Sequence, residues 1–347
     1  MNMKNIFWEN LKKNAAKEES SRPKGVALSS QGSFVVALTT RCNFQCRHCL
    51  RKESDVIDLP FEILEKLARS AKKYNFGHMS LTGGEPLLYP FFKEAVELIV
   101  SCGYSFNFVT NGYVFDKFSE FLLQYRKNLL NIIFSLESVD EASQDDIRRK
   151  GSYARLLEDF SVCRRSKLPF IIQSVITPLN FDELFNLALF AKKKGAQALR
   201  LSTALPCART ASNSLVLDSV KRGELFILLK QVSKILKFPV YYTAAIRSQD
   251  SVNLCSAIGV TELALNVNGD FAQCCDLADH DMERVRKNAV ITSFKDKTFA
   301  EALKIISQYQ HKFRCRRIEA YQSVKDPSDL DFNSCFYCIN TLDRLEE

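Results

Sequence analysis

Cys42, Cys46 and Cys49 stand within one short segment at C-x3-C-x2-C spacing, close behind the apolar stretch Phe34-Val-Val-Ala-Leu38. Such a loop can wrap three thiolates around a single inorganic centre. Three ligands are one fewer than a closed tetrahedral or cubane site needs, so one metal position stays free for another molecule. That position is where chemistry is expected. A zinc knuckle would need a fourth ligand nearby and would leave the downstream Gly83-Gly-Glu-Pro86 unexplained. A second set is more dispersed: Cys255, thirteen residues, Gly269, four residues, Cys274, and far downstream Cys335-Phe-Tyr-Cys338. Four cysteines on hairpin-like elements suit either a structural zinc ion or an iron–sulfur cluster.

The elements that must position these residues follow from hydrophobic periodicity. Candidate strands cover 34–38, 78–82, 105–110, 131–137, 170–177 and 197–203, with helical patterns at 60–74, 90–102, 116–127, 141–166 and 181–194 between them. Pro60 suits the first turn of a helix. Strand–helix units in series imply a parallel sheet covered by helices. Six units are too few for the full eight-unit barrel, so an α/β fold is expected, an open (β/α)6 partial barrel with its functional face at the C-terminal strand ends. A helix at 218–236 leads to a different texture. Thr261–Val267 alternates as a strand does, Asn268-Gly269 is a strong hairpin-turn signal, and Asp270–Cys274 returns. The chain divides into an N-terminal extension (1–33), a core (34–211), a connecting helix and linker (212–249) and a small cysteine-bearing C-terminal domain (250–347).

With Leu81-Thr-Gly-Gly-Glu-Pro86 behind the second strand, the cysteine loop resembles that of the radical S-adenosylmethionine (SAM) superfamily. Val109-Thr-Asn-Gly112, Ile132-Ile-Phe-Ser-Leu-Glu137 and Asp146-Ile-Arg-Arg-Lys-Gly-Ser-Tyr153 extend the resemblance along the core, over roughly residues 34 to 210. The resemblance implies that Cys42, Cys46 and Cys49 hold a [4Fe–4S] cluster whose fourth iron chelates SAM. An electron from such a cluster, whose potential can reach roughly −700 mV, would cleave SAM to a 5′-deoxyadenosyl radical that abstracts hydrogen from a substrate. It also implies that Gly83 and Gly84 let the backbone approach the methionine moiety and that Glu85 helps to bind its amino group. Asn111, Ser135, Glu137 and Gln173 would bind the ribose hydroxyls, and Arg148 the methionine carboxylate. Two positions depart from the family pattern: His48 stands where an aromatic residue is usual and is expected to pack beside adenine, and Glu137 stands in place of Asp.

The second cysteine set resembles the SPASM/twitch extension of these enzymes, in its shorter twitch form. This implies one auxiliary [4Fe–4S] cluster held by Cys255, Cys274, Cys335 and Cys338. Cys275 and Cys315 are extra residues that read as plain thiols or, as the alternative, replace one of these ligands, while Cys102 and Cys163 read as small core residues. A cluster saturated by four cysteines has no iron for substrate and suits electron transfer, so a radical SAM oxidoreductase is expected. Cys207, in Leu205-Pro-Cys-Ala-Arg209, is a candidate hydrogen-atom donor. The substrate is either a peptide or protein side chain in natural-product maturation, or a small sugar, aminocyclitol or nucleoside intermediate that is dehydrogenated or epimerised. The short stretch before Cys42 counts against a leader-peptide recognition domain there. A flavodoxin- or ferredoxin-like electron donor is implied. The reading from another class is a non-catalytic metal-binding scaffold.

Bulk composition narrows the setting. The 347 residues are 46% hydrophobic and 25% charged, as in folded globular chains. No uncharged apolar run has transmembrane length, and the N-terminus lacks the apolar centre of a signal peptide. A cytoplasmic, reducing location is therefore expected, where twelve cysteines speak for metal ligation over disulfides. The net charge of +8 favours an anionic substrate or an acidic redox partner. No basic–aromatic nucleic-acid motif stands out.

Overall fold

The structure, a computed structural model, describes residues 31–51, 56–243, 255–323 and 334–344. Strands β1 (Gly32–Thr39), β2 (Phe76–Gly83), β3 (Ser105–Thr110), β4 (Leu129–Ser135), β5 (Phe170–Ile176) and β6 (Leu199–Thr203) alternate with helices. The helices are α1 (Phe61–Ala71), α2 (Phe92–Ser101), α3 (Asp116–Gln124), α4 (Glu141–Ile147), α5 (Ser152–Ser166) and α6 (Leu184–Lys194). Each strand pairs in parallel with the next. After α7 (Ala208–Ser212) and α8 (Ser219–Leu236) comes a strand that periodicity did not reveal, β7 (Val240–Tyr242), parallel to β6. The C-terminal unit comprises β8 (Glu262–Leu265), β9 (Asp270–Ala272), α9 (Cys275–Ala278), α10 (Glu283–Ala289), β10 (Val290–Ser293), α11 (Phe299–Ser323) and α12 (Ser334–Arg344). The α/β class and partial barrel expected from the sequence are the observed architecture.

Strand alternation sorts side chains to two faces. Ile132 and Phe134 join the large core beneath the helices, whereas Ile133 joins Ile171 and Ala198 on the opposite face, with Val109 and Tyr241 packed against them. The Phe134 ring meets Phe115 at 5.2 Å, Phe160 at 5.5 Å and Phe170 at 6.0 Å. Burying a ring of this size contributes about 1.5–3 kcal/mol.

Two features differ from the sequence reading. First, the pattern over 141–166 is not one helix. The Asp145 carboxylate accepts from Gly151 N (2.5 Å) and Tyr153 N (2.9 Å), and Gly151 adopts φ +80°. An acidic side chain bonding to backbone ahead of it competes with helix continuation. The break leaves Arg148 free to reach β4. Second, the C-terminal unit extends the same sheet. β8 runs parallel to β1 in register Ser33↔Glu262 to Val36↔Leu265, giving the order β10-β9-β8-β1-β2-β3-β4-β5-β6-β7. The expected hairpin turn is present: Gly269 has φ +78°, and Asn266 Oδ1 accepts from Asn268 N and Asp270 N. The parts of the extension and linker at 1–30 and 244–254 lie outside the described residues. Among the described residues no helix is long and apolar enough to cross a membrane.

Candidate functional site

The cysteine loop leaves β1 at the C-terminal edge of the sheet and is seated by the end of β2. Gly84 N donates to Thr39 O (2.7 Å) and Glu85 N to Arg41 O (2.7 Å). A Cβ on Gly83 would stand 2.4 Å from Thr39 O, and one on Gly84 2.2 Å from Arg41 O. Gly83 also has φ +137°, which side chains avoid. The two glycines, expected to make room for a bound methionine, thus first make room for the loop itself. Asp58 holds the start of the loop through Arg41 (2.9 and 3.1 Å) and Thr39 Oγ1 (2.5 Å). Further along, Arg149 donates to Asn43 O (2.7 Å) and lies over the Tyr113 ring.

Glu85 lies inside the protein. Its carboxylate is 1% exposed and turned inward, accepting from Thr110 Oγ1 (2.8 Å), Leu87 N (3.3 Å) and Asn111 N (2.7 Å). It staples the end of β2 to that of β3. Burial pushes its pKa from 4.5 to about 7, against the lowering effect of these hydrogen bonds. The folded protein therefore holds this proton more tightly than the unfolded chain, and Glu85 lowers stability progressively as pH rises from about 4.5 to 7. Urea midpoints measured across that range should fall less steeply in Glu85→Gln than in the parent.

Asn111 is also committed to the protein: Nδ2 donates to Asn43 Oδ1 (2.8 Å) and Oδ1 accepts from Tyr113 N (2.9 Å), which braces the cysteine loop. Glu137 is 1% exposed and accepts from Arg148 Nη1 (2.7 Å) and Val175 N (2.6 Å), with His48 Nε2 at 3.5 Å. It anchors Arg148. Burial works against the Arg148 charge, but Cys46, Glu137 and Cys42 outweigh it and raise the pKa. Burial raises the Cys46 thiol, opposed chiefly by Arg148, and pushes Cys42 up to about 11. Arg148 Nε and His48 Nδ1 are buried without hydrogen-bond partners. Arg148, a cation with a spare donor beside a buried thiol, suits an anionic group placed at this loop.

Ser135 and Gln173 face one another across β4 and β5. Gln173 Oε1 is taken by Arg200, whose Nε donates at 2.7 Å and whose Nη2 adds a second contact. Arg200 was missed from the sequence; its only signal was a charge inside the strand Leu199-Arg-Leu-Ser-Thr203. Burial raises Glu262 and Asp276 of the C-terminal unit, and Arg200 opposes the rise at both. Cys207 is 3% exposed and serves as the N-cap of α7: its sulfur accepts from Thr210 N (3.4 Å) and lies 3.9 Å from Cys49 O. That places the thiol beside the cysteine loop, held there by its capping bonds.

The second set comes together from three elements. Cys255 precedes β8, Cys274 follows β9, and Cys335 and Cys338 sit one turn apart on α12. All four line one cavity with Leu205, Ile258 and Leu277. Burial raises Cys274 and Cys335 well above the usual thiol value and pushes Cys338 up to about 12. Thiols so placed stay protonated until a metal supplies compensating charge. Among the described residues no three His, Cys, Asp or Glu side chains are gathered at the spacing of one bound ion; the four sulfurs stand around a cavity instead. Cys275 does not line it, and Cys315 meets His311 Nε2 at 3.9 Å within α11. Cys163 is buried in the main core, with Cys102 packed against it.

Residues 36–191 match the family model of the Radical SAM superfamily. The chain carries a radical SAM domain. Over 184 residues it is 30% identical to a GTP 3′,8-cyclase of Campylobacter fetus, covering 49% of this chain and 56% of that protein. Over 121 residues it is 35% identical to the GTP 3′,8-cyclase of Microcystis aeruginosa, covering 32% and 36%. The chain thus spans about half or less of the length of these relatives. The fold extends beyond the radical SAM domain in solved structures. Streptococcus suis SuiB bound to its precursor peptide SuiA superposes with a TM-score of 0.64 at 15% identity, covering 85% of this chain and 68% of SuiB. The enzyme anSMEcpe, solved with AdoMet and the Kp18Cys peptide, gives 0.63 at 16% identity, covering 90% and 95%.

Proposed function

We propose that this protein is a radical SAM oxidoreductase in which a four-cysteine auxiliary [4Fe–4S] cluster accepts an electron from the substrate. The observation that carries the reading is the separation of two cysteine sets: three on a loop beside the Arg148 guanidinium, and four around one apolar cavity. The three-cysteine [4Fe–4S] cluster would supply the electron that splits the C5′–S bond of SAM, giving methionine and a 5′-deoxyadenosyl radical. Arg148, fixed by Glu137, holds and orients the methionine carboxylate. Ser135, at the end of β4, is the ribose contact left open by the internal commitments of Asn111, Glu137 and Gln173. His48, its side chain 9% exposed, packs at the loop as the expected aromatic would. In the second site Cys255, Cys274, Cys335 and Cys338 would hold the cluster, and a centre with all its ligands from the protein would supply electron transfer and leave no iron for substrate.

A peptide side chain is the favoured substrate, supported by the likeness in fold to SuiB and anSMEcpe over most of this chain. The second reading is a nucleotide or sugar-like small molecule, favoured by sequence identity to GTP 3′,8-cyclases over the core. Anaerobically reconstituted, reduced protein given SAM should release 5′-deoxyadenosine, and Cys46→Ala should release none. Deuterium carried into 5′-deoxyadenosine from a labelled peptide or nucleoside then separates the two substrate classes. Full turnover by protein that contains only zinc would exclude the whole reading.

A further inference from the structure

A four-residue strap, Asp279–Met282, touches both cysteine regions. It follows directly on α9, whose N-cap is Cys274, so a single short helix separates it from the four-cysteine cavity. On its other side it is bonded to the three-cysteine loop: Asp281 N donates to Leu50 O (2.9 Å), Arg51 and His280 form an antiparallel bridge, and Arg51 pairs with Asp279. His280 is fully buried. Its Nε2 bonds to Pro206 O (3.0 Å) while Nδ1 accepts from Met282 N (3.2 Å), which fixes the tautomer and locks the strap to the segment after β6.

Asp281 is the centre of this arrangement. Its two carboxylate oxygens accept from Ala208 N and Arg209 N, each at 3.2 Å. The turn so held returns to the cysteine loop, with Arg209 Nη1 donating to Cys46 O (3.4 Å) and the Cys207 sulfur lying near Cys49 O. One carboxylate therefore supports the backbone carbonyls of two of the three cysteines, although it comes from the far end of the chain. Carboxylate bonds to backbone N–H groups are among the stronger hydrogen bonds.

We propose that this strap couples the two centres, with Asp281 as the positioning residue. Metal in the Cys255–Cys274–Cys335–Cys338 cavity fixes α9 and the strap, and the strap holds the Cys46–Arg51 backbone in the form that binds SAM. The inference rests on the proposed function for its ligand, but its geometry does not. Sites joined in this way share a coupling free energy, so filling one changes affinity at the other.

Two measurements on the full-length chain test it. In metal-free protein, Asp281→Ala should raise amide exchange about tenfold at Cys46–Arg51 and at Cys207–Thr210, leaving β3 unchanged, and Asp281→Asn should restore part of the protection. Unchanged exchange at Cys46–Arg51 would overturn the strap's role, whatever metal the protein takes. In reconstituted protein, SAM affinity, read from the change in the reduced-cluster EPR spectrum, should fall about tenfold both in Asp281→Ala and in Cys335→Ala/Cys338→Ala. The combined variant should lose no more than either alone, because both break one connection. Losses that multiply to about a hundredfold would show independent effects and refute the coupling. A parent protein that gives no SAM-dependent spectrum would instead refute the proposed function, and the exchange result would still decide the strap.

Discussion

Under the proposed function, Gly84→Ala should cost the Cys42–Cys49 loop its cluster and leave the one proposed for the four-cysteine cavity in place. The added methyl would lie 2.2 Å from Arg41 O and 2.7 Å from both Arg41 C and Thr40 O. All three are backbone atoms, so no flexible side-chain tip can yield. The end of β2 must part from the loop, and the bonds Gly84 N to Thr39 O and Glu85 N to Arg41 O stretch with it. Overpacking of this kind costs about 1–3 kcal/mol, and each lost hydrogen bond about 1 kcal/mol more. Iron and sulfide assays of the reconstituted variant should show about half the parent content, and SAM cleavage should be abolished. A variant with full iron content and parental 5′-deoxyadenosine yield would mean that the loop does not depend on this close approach.

Glu137→Ala should be the most destabilising single change at the site. Its buried carboxylate is the acidic partner of Arg148, whose side chain is only 11% exposed, and also receives Val175 N. Removing one partner of a buried ion pair leaves an uncompensated charge, at a cost of about 3–5 kcal/mol. Glu137→Gln keeps an acceptor for one donor and should lose less. Urea unfolding of the metal-free variants measures both. With its anchor weakened, the Arg148 guanidinium is no longer held at one orientation beside the cysteine loop, so SAM affinity should fall in Glu137→Gln even where the fold survives. Equal stability of the parent and Glu137→Ala would show that Arg148 finds solvent or another acid.

Much of the barrel was legible because apolar strands and amphipathic helices recur in a regular order, and a parallel sheet covered by helices follows from that alternation. β7 escaped because three residues, Val240-Tyr-Tyr242, carry no readable period. The break between α4 and α5 escaped although its cause is local: Asp145 accepts from Gly151 N and Tyr153 N, and Gly151 takes φ +80°. At the site, the residue types were legible and their directions were not. Glu85, Asn111 and Glu137 sit at the anticipated strand ends, but each is committed to backbone or side-chain partners from a neighbouring strand or loop. Spacing gives position along a strand and says little about which competing donor wins a carboxylate. Arg200, the strap and its Asp281 contacts depend on pairings between distant segments, which periodicity does not encode.

Because Glu262–Leu265 lies against β1 while β7 closes the opposite margin, the first strand to be synthesised waits longest for its second neighbour. Through most of translation its open backbone edge is a template for pairing with another nascent chain. The C-terminal hairpin is thus also a late cap against self-association. Chains cut short before residue 262 should be recovered chiefly as aggregates, even though every residue of the radical SAM domain is present.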